Sequence, residues 1–425
     1  MKRGLTAVAM TAILALGLTA CAPSGDGESG GSSEEGKLVV WSSWLGVQAD
    51  LIREYTAKFE EENGVEVELV EMSSPDIKQK IQAAAVSGDL PDVFQHWGGP
   101  SYQSIVDGGT MLALDDYIAG DPEWEGQFID SWAENFTYNG GVYGVPIEAP
   151  VVQLFYNTEL LSDAGVTTPP QTFDELLAAV EKLKASGVIP ITVNGVDGWP
   201  MQQWFYYLAM RNGGVSIVND AVAGTVDWTD PAFVQAGEQL RQLIDVGAFQ
   251  EGFLGEAYDQ DIANFTSQQA GMILMGTWIL GNLSTEENAA ALANTSFTAF
   301  PTTGGTGSAT ELQGGPNASW HIGGNSANAD LAWKYISGIT SNDEASRVAT
   351  EALNIVPNVI DIDPASVPAV FNDLSTSVSE ASGFAFFMNG ILDPDFNTEV
   401  VNALNALVAG EITPQEMMEQ IQAAA

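Results

Sequence analysis

The stretch from Lys37 to Gln95 decides the fold. It opens KLVVW (Lys37–Trp41), continues QADLIREYTAKFEEE (Gln48–Glu62) and VEVEL (Val65–Leu69), and ends DVFQ (Asp92–Gln95). The first run is continuously apolar, the pattern of a strand buried on both faces. In the second, Leu51, Ile52, Tyr55 and Phe59 share one helical face, and Asn63-Gly64 supplies a stop. The third alternates Val65, Val67 and Leu69 with acids, which predicts a half-buried strand. Ser74-Pro75 opens a helix with Pro at its first position and Ile77 and Ile81 turned inward. The fourth run is a short strand. Strand and helix in alternation predict a parallel sheet wrapped by helices.

Working outward, the same grammar resumes after a break near Pro146. Thr172-Phe173-Asp174-Glu175 is a capping box that starts a helix running to about Ser186. Ile189–Val193 reads as a strand, Gln202–Arg211 as a helix, and Pro231–Val246 as a helix stopped by Gly247. Met272–Met275 reads as a short buried strand. Helices follow at Ala329–Thr340 and Asn397–Val408, the latter stopped by Gly410, and Thr413-Pro414-Gln415-Glu416 caps a last one. From Lys37 to Ala425 there is no second linker and no internal repeat. That length exceeds one typical core, so two lobes are expected.

The N-terminus reads as an export signal. Lys2 and Arg3 precede an apolar stretch, Leu5–Leu18, which is too short to span a bilayer. Leu18-Thr19-Ala20-Cys21 resembles the bacterial lipobox, which implies acylation at Cys21, the only cysteine in the chain. The segment 22–36 is Gly, Ser and acid without a large apolar residue, a flexible tether. The expected location is the extracellular face of the cell membrane, with the membrane touched through the lipid anchor alone. The formal net charge of −43 is repelled by phosphate backbones and argues against nucleic acid; it is read as a solvating surface.

Several stretches resemble the family 1 extracellular solute-binding proteins, which include maltose-binding protein and the multiple-sugar and raffinose-type lipoproteins. They are LVVWSSW from Leu38, Gly88–Val93, Tyr143–Glu148, Phe155–Leu161, Ala164-Gly165 before Pro169-Pro170, Thr172–Leu176, Phe265 through Trp278, and Ala332–Ile336. The resemblance implies an α/β, two-lobe periplasmic-binding-protein-like fold, hinge-connected, with the ligand in the interlobe cleft. The division expected is signal 1–20, acylated Cys and linker 21–36, first lobe 37–147, second lobe 148–298, return to the first lobe 299–342, and second-lobe helices 343–425. It also implies the substrate-binding component of an ABC importer, delivering an oligosaccharide to permease subunits, as a monomer and without a cofactor.

Ligands in open α/β sheets sit beyond the carboxyl ends of the strands. That rule selects Ser43 and Trp44 after the first strand, His96 and Trp97 after the third, Asn194 and Trp199 after the Ile189 strand, and Trp278 after the Met272 strand. Each of these loops carries a Trp. An indole covers the apolar face of a pyranose, and amides, imidazoles and carboxylates serve its hydroxyl rim. By resemblance, Trp278 matches a ligand-stacking Trp and Glu148 a hinge carboxylate of maltose-binding protein. One of His96 and Trp97 is expected to face the cleft. Gly314-Gly315, Trp320-His321 and Phe386–Asn389 are further edges. No basic residue lies in these loops, which favours a neutral ligand over an anion. The alternative is a small cation, a polyamine or betaine, in an aromatic and acidic cage. A carbohydrate-active enzyme is more remote: there is no nucleophile elbow, HExxH or Walker pattern, and His96 and His321 have no metal-ligand spacing.

Overall fold

The structure is a computed structural model and describes residues 36–129 and 132–425. Its strands, in chain order, are β1 (Lys37–Ser42), β2 (Glu66–Glu71), β3 (Val93–His96), β4 (Thr137–Tyr138), β5 (Gly141–Val142), β6 (Val145–Pro146), β7 (Val152–Asn157), β8 (Ile189–Thr192), β9 (Ala270–Gly276), β10 (Thr295–Thr298), β11 (Glu311–Gln313), β12 (Ser319–Ile322) and β13 (Gly383–Ala385). The export signal, Cys21 and the linker lie outside the described residues, Gly36 apart. Among the described residues no helix is long and apolar enough to cross a membrane.

Two sheets carry two hydrophobic cores. The first has the order β2-β1-β3-β12-β6, with β2, β1 and β3 parallel and β12 antiparallel to both of its neighbours. In β1, Leu38 and Val40 pack with Leu51, Ile52 and Phe59 of the helix Val47–Asn63. Val39 and Trp41 pack on the other face with Ile77 and Ile81 of the helix Ser74–Ser87. A strand covered on both faces needs apolar residues at every position, which explains KLVVW. β2 is the edge strand and is only partly covered, so it tolerates alternating acids. β4 and β5 form a small hairpin around Asn139 (φ 51°) and Gly140 (φ 83°), the Asn-Gly pair that a tight turn with two positive φ angles selects.

The second sheet has the order β10-β7-β9-β8. β9 is buried along its whole length. Met272 and Leu274 face the helices Phe173–Ala185, Trp199–Gly213, Pro231–Asp245 and Pro394–Ala409, while Ile273 and Met275 face Phe265, Leu280 and Leu374. Thr172 starts its helix by the expected reciprocal bonds with Glu175, and Thr413 does the same with Glu416. The helix expected from Gln202 begins earlier, at Trp199, because Pro200 fits the first turn, where its missing N–H costs nothing. Every residue from Pro200 to Asn212 in it is buried. Arg211 is among them; its guanidinium donates to the carbonyls of Phe300, Glu311 and Ala309 and lies against the Tyr207 ring. This charge is spent on tying the central helix to the return segment.

The chain crosses from the first sheet to the second between β6 and β7 and returns between β10 and β12. It crosses again through the helix Asn342–Glu351, where Val348 packs in the first core and Ala349 in the second. Gly99, at the start of the helix Gly99–Asp107 of the first lobe, meets the backbone carbonyl of Gly390 in the second-lobe segment after β13. The lobes therefore touch across the mouth between them.

Candidate ligand-binding site

The wall contributed by the second lobe is aromatic. Half-buried Trp278 follows directly on β9, and its ring centroid lies 6.0 Å from that of Trp199 and 6.0 Å from that of Phe387. Trp199 in turn lies 5.8 Å from Tyr258. Edge-to-face and tilted contacts at this spacing are the favoured geometry for aromatic pairs. β8 and β9 bring Trp199 and Trp278 together from positions far apart in sequence, and the segment after β13 adds Phe387.

Beside this wall, Trp199, Gln202, Gln203, Gln313, Phe387, Met388 and Asn389 enclose a cavity of about 10 Å³, the room of one water molecule. Gln203 is 5 % exposed and Gln313 is 1 % exposed. Oε1 of Gln203 and both amide atoms of Gln313 have no hydrogen-bond partner among the described residues. Gln313 is placed by its own backbone N–H, which donates to Tyr207 Oη at 3.0 Å. Sequence reading missed both glutamines. For Gln203 the available signal was a Gln-Gln pair inside the otherwise apolar run from Trp199 to Met210, where polar side chains need a reason.

Glu148 stands at the first crossing. Its Oε2 accepts from Nδ2 of buried Asn354 at 3.2 Å, and its carbonyl accepts from the backbone N–H of Asn317 at 3.0 Å. Burial pushes its carboxyl up to about 7, so near neutrality it can both accept and donate.

The first-lobe wall is built by β3 and the loop after β1. Gln95 Oε1 accepts from the N–H of Ser43 at 2.5 Å and its hydroxyl at 2.8 Å, which pins that loop, while Gln95 Nε2 is unpaired. His96 is 5 % exposed with its ring 5.9 Å from that of His321, and its Nδ1 is unpaired. Burial, with His321 and Lys78 nearby, holds it well below the usual imidazole range. Trp97 is the half-buried member of the pair. The Nζ of Lys78 stands 4.5 Å over its ring centroid. The loops carry no basic residue, but this helix delivers one to their edge, which a census of loop residues alone does not see.

Two candidates lie elsewhere than expected. Trp44 is 4 % exposed and packs edge-on against Trp320 in the first-lobe core. Its backbone N–H donates to Ser42 Oγ at 3.1 Å, in a turn that sends the indole inward. Asn194 is 0 % exposed and donates to Asp261 Oδ2 at 3.2 Å. Thr192 donates to the other oxygen of the same buried carboxyl at 2.7 Å. Asn194 thus completes a polar network under the wall and is not on its surface. Trp320 and His321 are likewise fully buried. A larger hollow of about 420 Å³ lies between the helices Val47–Asn63 and Ala329–Ile339; its rim is of mixed charge and no expected site residue borders it. Among the described residues no group of three or more His, Cys, Asp or Glu is arranged to hold a metal ion.

Two α/β lobes joined by crossing segments, with strand ends converging on the mouth between them, define the fold of the periplasmic binding proteins. A structure from Caldanaerobius polysaccharolyticus, solved in work on xylan utilization by that bacterium, superimposes with a TM-score of 0.86 at 28 % identity, covering 91 % of this chain and 99 % of that one. The family profile of the bacterial extracellular solute-binding proteins matches residues 54–369, and the chain belongs to that family, whose members bind solutes and are not enzymes. A binding protein of Brucella abortus is 28 % identical over 263 residues, 61 % of this chain and 60 % of that protein. The multiple sugar-binding protein of Streptococcus mutans is 25 % identical over 236 residues, 52 % of this chain and 53 % of that protein. The matched stretches thus span less than two thirds of these relatives' own length.

Proposed function

We propose that this chain binds a neutral carbohydrate, an oligosaccharide, between its lobes and delivers it to the permease subunits of an ABC importer. It works as a monomer held at the outer face of the membrane by acylated Cys21. One observation carries the reading of the ligand: the second-lobe wall sets the rings of Trp199, Trp278 and Phe387 beside the amides of Gln202, Gln203, Gln313 and Asn389, without a charged side chain among them. Rings with amides suit C–H faces with hydroxyls, and pockets of this make-up are mainly apolar with a few placed polar groups. A cation cage would need a free carboxylate at the rings. Asp261 is buried and engaged by Thr192 and Asn194, and Asp197 accepts from the backbone N–H of Tyr258. The relatives named for sugars, and the xylan context of the structural neighbour, point the same way.

The test is calorimetry of the purified protein with maltotriose, xylotriose, chitotriose, spermidine and betaine at low and high salt. A neutral sugar should bind with little dependence on ionic strength, because it has no net charge to screen. Binding of spermidine or betaine in its place, or a tenfold loss of sugar affinity with salt, would overturn the reading.

A further inference from the structure

We infer that Gln203 and Gln313 form a slot for one free hydroxyl of the sugar, and so restrict the protein to carbohydrates in which that hydroxyl is unsubstituted. This rests on the carbohydrate reading above and narrows it. Both side chains are more than nine-tenths buried, and both line the cavity of about 10 Å³. Between them they present an acceptor, Gln203 Oε1, and an amide with donor and acceptor unpaired, Gln313 Nε2 and Oε1. Unpaired buried amide atoms cost free energy, and a group that pairs with them recovers it.

Size and chemistry then select the occupant. The cavity is too small for a sugar ring and has room for one oxygen with its hydrogen. A hydroxyl is the part of a sugar with the bulk and the donor–acceptor pair of a water molecule. A glycosidic bond or an O-methyl group at the same oxygen removes the donor and adds carbon that the surrounding Phe387, Met388 and Trp199 leave no room for. A deoxy position leaves the amides unpaired. A site built to hydrogen-bond a hydroxyl rejects the analogue lacking it far more strongly than an apolar pocket rejects an extra methylene. The neighbouring wall of Trp199, Trp278 and Phe387 is placed to hold the ring that carries this hydroxyl. The slot is therefore a dead end, and it reads a sugar residue that is not extended through that oxygen.

The experiment uses the mature protein, the variants Gln203→Met and Gln313→Met, and whichever of maltotriose, xylotriose and chitotriose binds, with its monodeoxy and mono-O-methyl derivatives. In the wild type, one hydroxyl position should lose about tenfold to hundredfold in affinity in both derivatives. Gln313→Met should lose a similar factor for the parent sugar and no longer discriminate the deoxy derivative. Because the amides are unpaired, Met should leave the melting temperature unchanged or raise it. If every derivative binds the wild type as the parent does, the slot does not exist. Lower melting temperatures with wild-type affinity in the folded fraction would make the glutamines structural, or hosts of a resident water, and overturn the inference while leaving the carbohydrate reading intact. If none of the three sugars binds the wild type, the carbohydrate reading itself fails.

Discussion

Gly276 lies against the six-membered ring of Trp278, so close that a methyl group on its α-carbon would overlap Cζ3, Cε3 and Cη2 of the indole. Glycine at 276 is thus the seat on which the principal aromatic of the wall rests. It explains in physical terms why β9 ends in a Gly-x-Trp sequence.

Gly276→Ala should displace the indole. The expected outcome is a loss of sugar affinity of about tenfold or more, with an overpacking cost of about 1–3 kcal/mol. Trp278→Ala removes the ring itself and should cost about 2 kcal/mol of binding, roughly thirtyfold. If Trp278 serves only packing, its truncation should instead cost about 3–5 kcal/mol of stability. Calorimetry and thermal melts on both variants separate the cases. Normal binding by the folded fraction of a destabilised Trp278→Ala would remove Trp278 from the site.

Gly99 of the first lobe lies against the backbone carbonyl of Gly390 in the second. A side chain at 99 should hold the mouth open. Gly99→Ala is predicted to increase the radius of gyration in solution scattering and to weaken sugar binding by about tenfold or more, the cost of a closed state it cannot reach. Because Gly99 has φ +76°, some stability is lost to backbone strain in any case. Gly109→Ala is the control: it has φ +68° and nothing within 4 Å of an added Cβ. It should show the strain and bind normally. Equal binding by the two variants would mean that the contact is incidental.

Acid and base should act on the first crossing and on the first lobe with opposite sign. Burial raises Glu148 from 4.5 to about 7. Its protonation therefore favours the folded state, in full below about pH 4.5, and this contribution is lost as the pH rises through about 7. Burial lowers His321 from 6.5 to about 3 and holds His96 well below 6.5. Their contribution is present above about pH 6.5 and is lost as the pH falls, for His321 through about 3. Each group supplies at most one proton, about 1.4 kcal/mol per pH unit. Urea unfolding between pH 4 and 8 should show the alkaline-side slope shrink in Glu148→Gln to the part that Asp261, raised by burial to about 6, supplies, and the acid-side slope shrink in His321→Gln. Unchanged profiles in both variants would refute the assignment.

Anchoring is proposed on sequence alone. Cys21→Ala should appear in the medium with an unchanged melting temperature and unchanged sugar affinity. Retention on membranes after a salt wash would sink the lipoprotein reading.

Local pattern was enough for the frame. KLVVW had to be a strand covered on both faces, the capping boxes at Thr172 and Thr413 had to start helices, and Gly64 and Gly410 had to end them, because these signals act over a few residues. The choice of Trp97, Trp199 and Trp278 followed from the position of strand ends, and the structure places all three half-buried. Trp44 and Asn194 obeyed the same rule but are turned inward. Which way a loop side chain points is set by partners distant in sequence, Trp320 for the one and Asp261 for the other.

What tertiary structure alone decided is where unlike segments meet. Nothing near Gln203 or Gln313 announces that residues 110 positions apart share a slot, or that Lys78 reaches Trp97 from a helix. Nor does anything near Gly99 reveal that it faces Gly390. The chain's own residues specify each strand, helix and cap through interactions that span a turn or two. The site is made from contacts between lobes and between strand ends, and those exist only once both hydrophobic cores have closed and the crossing segments have set one lobe against the other.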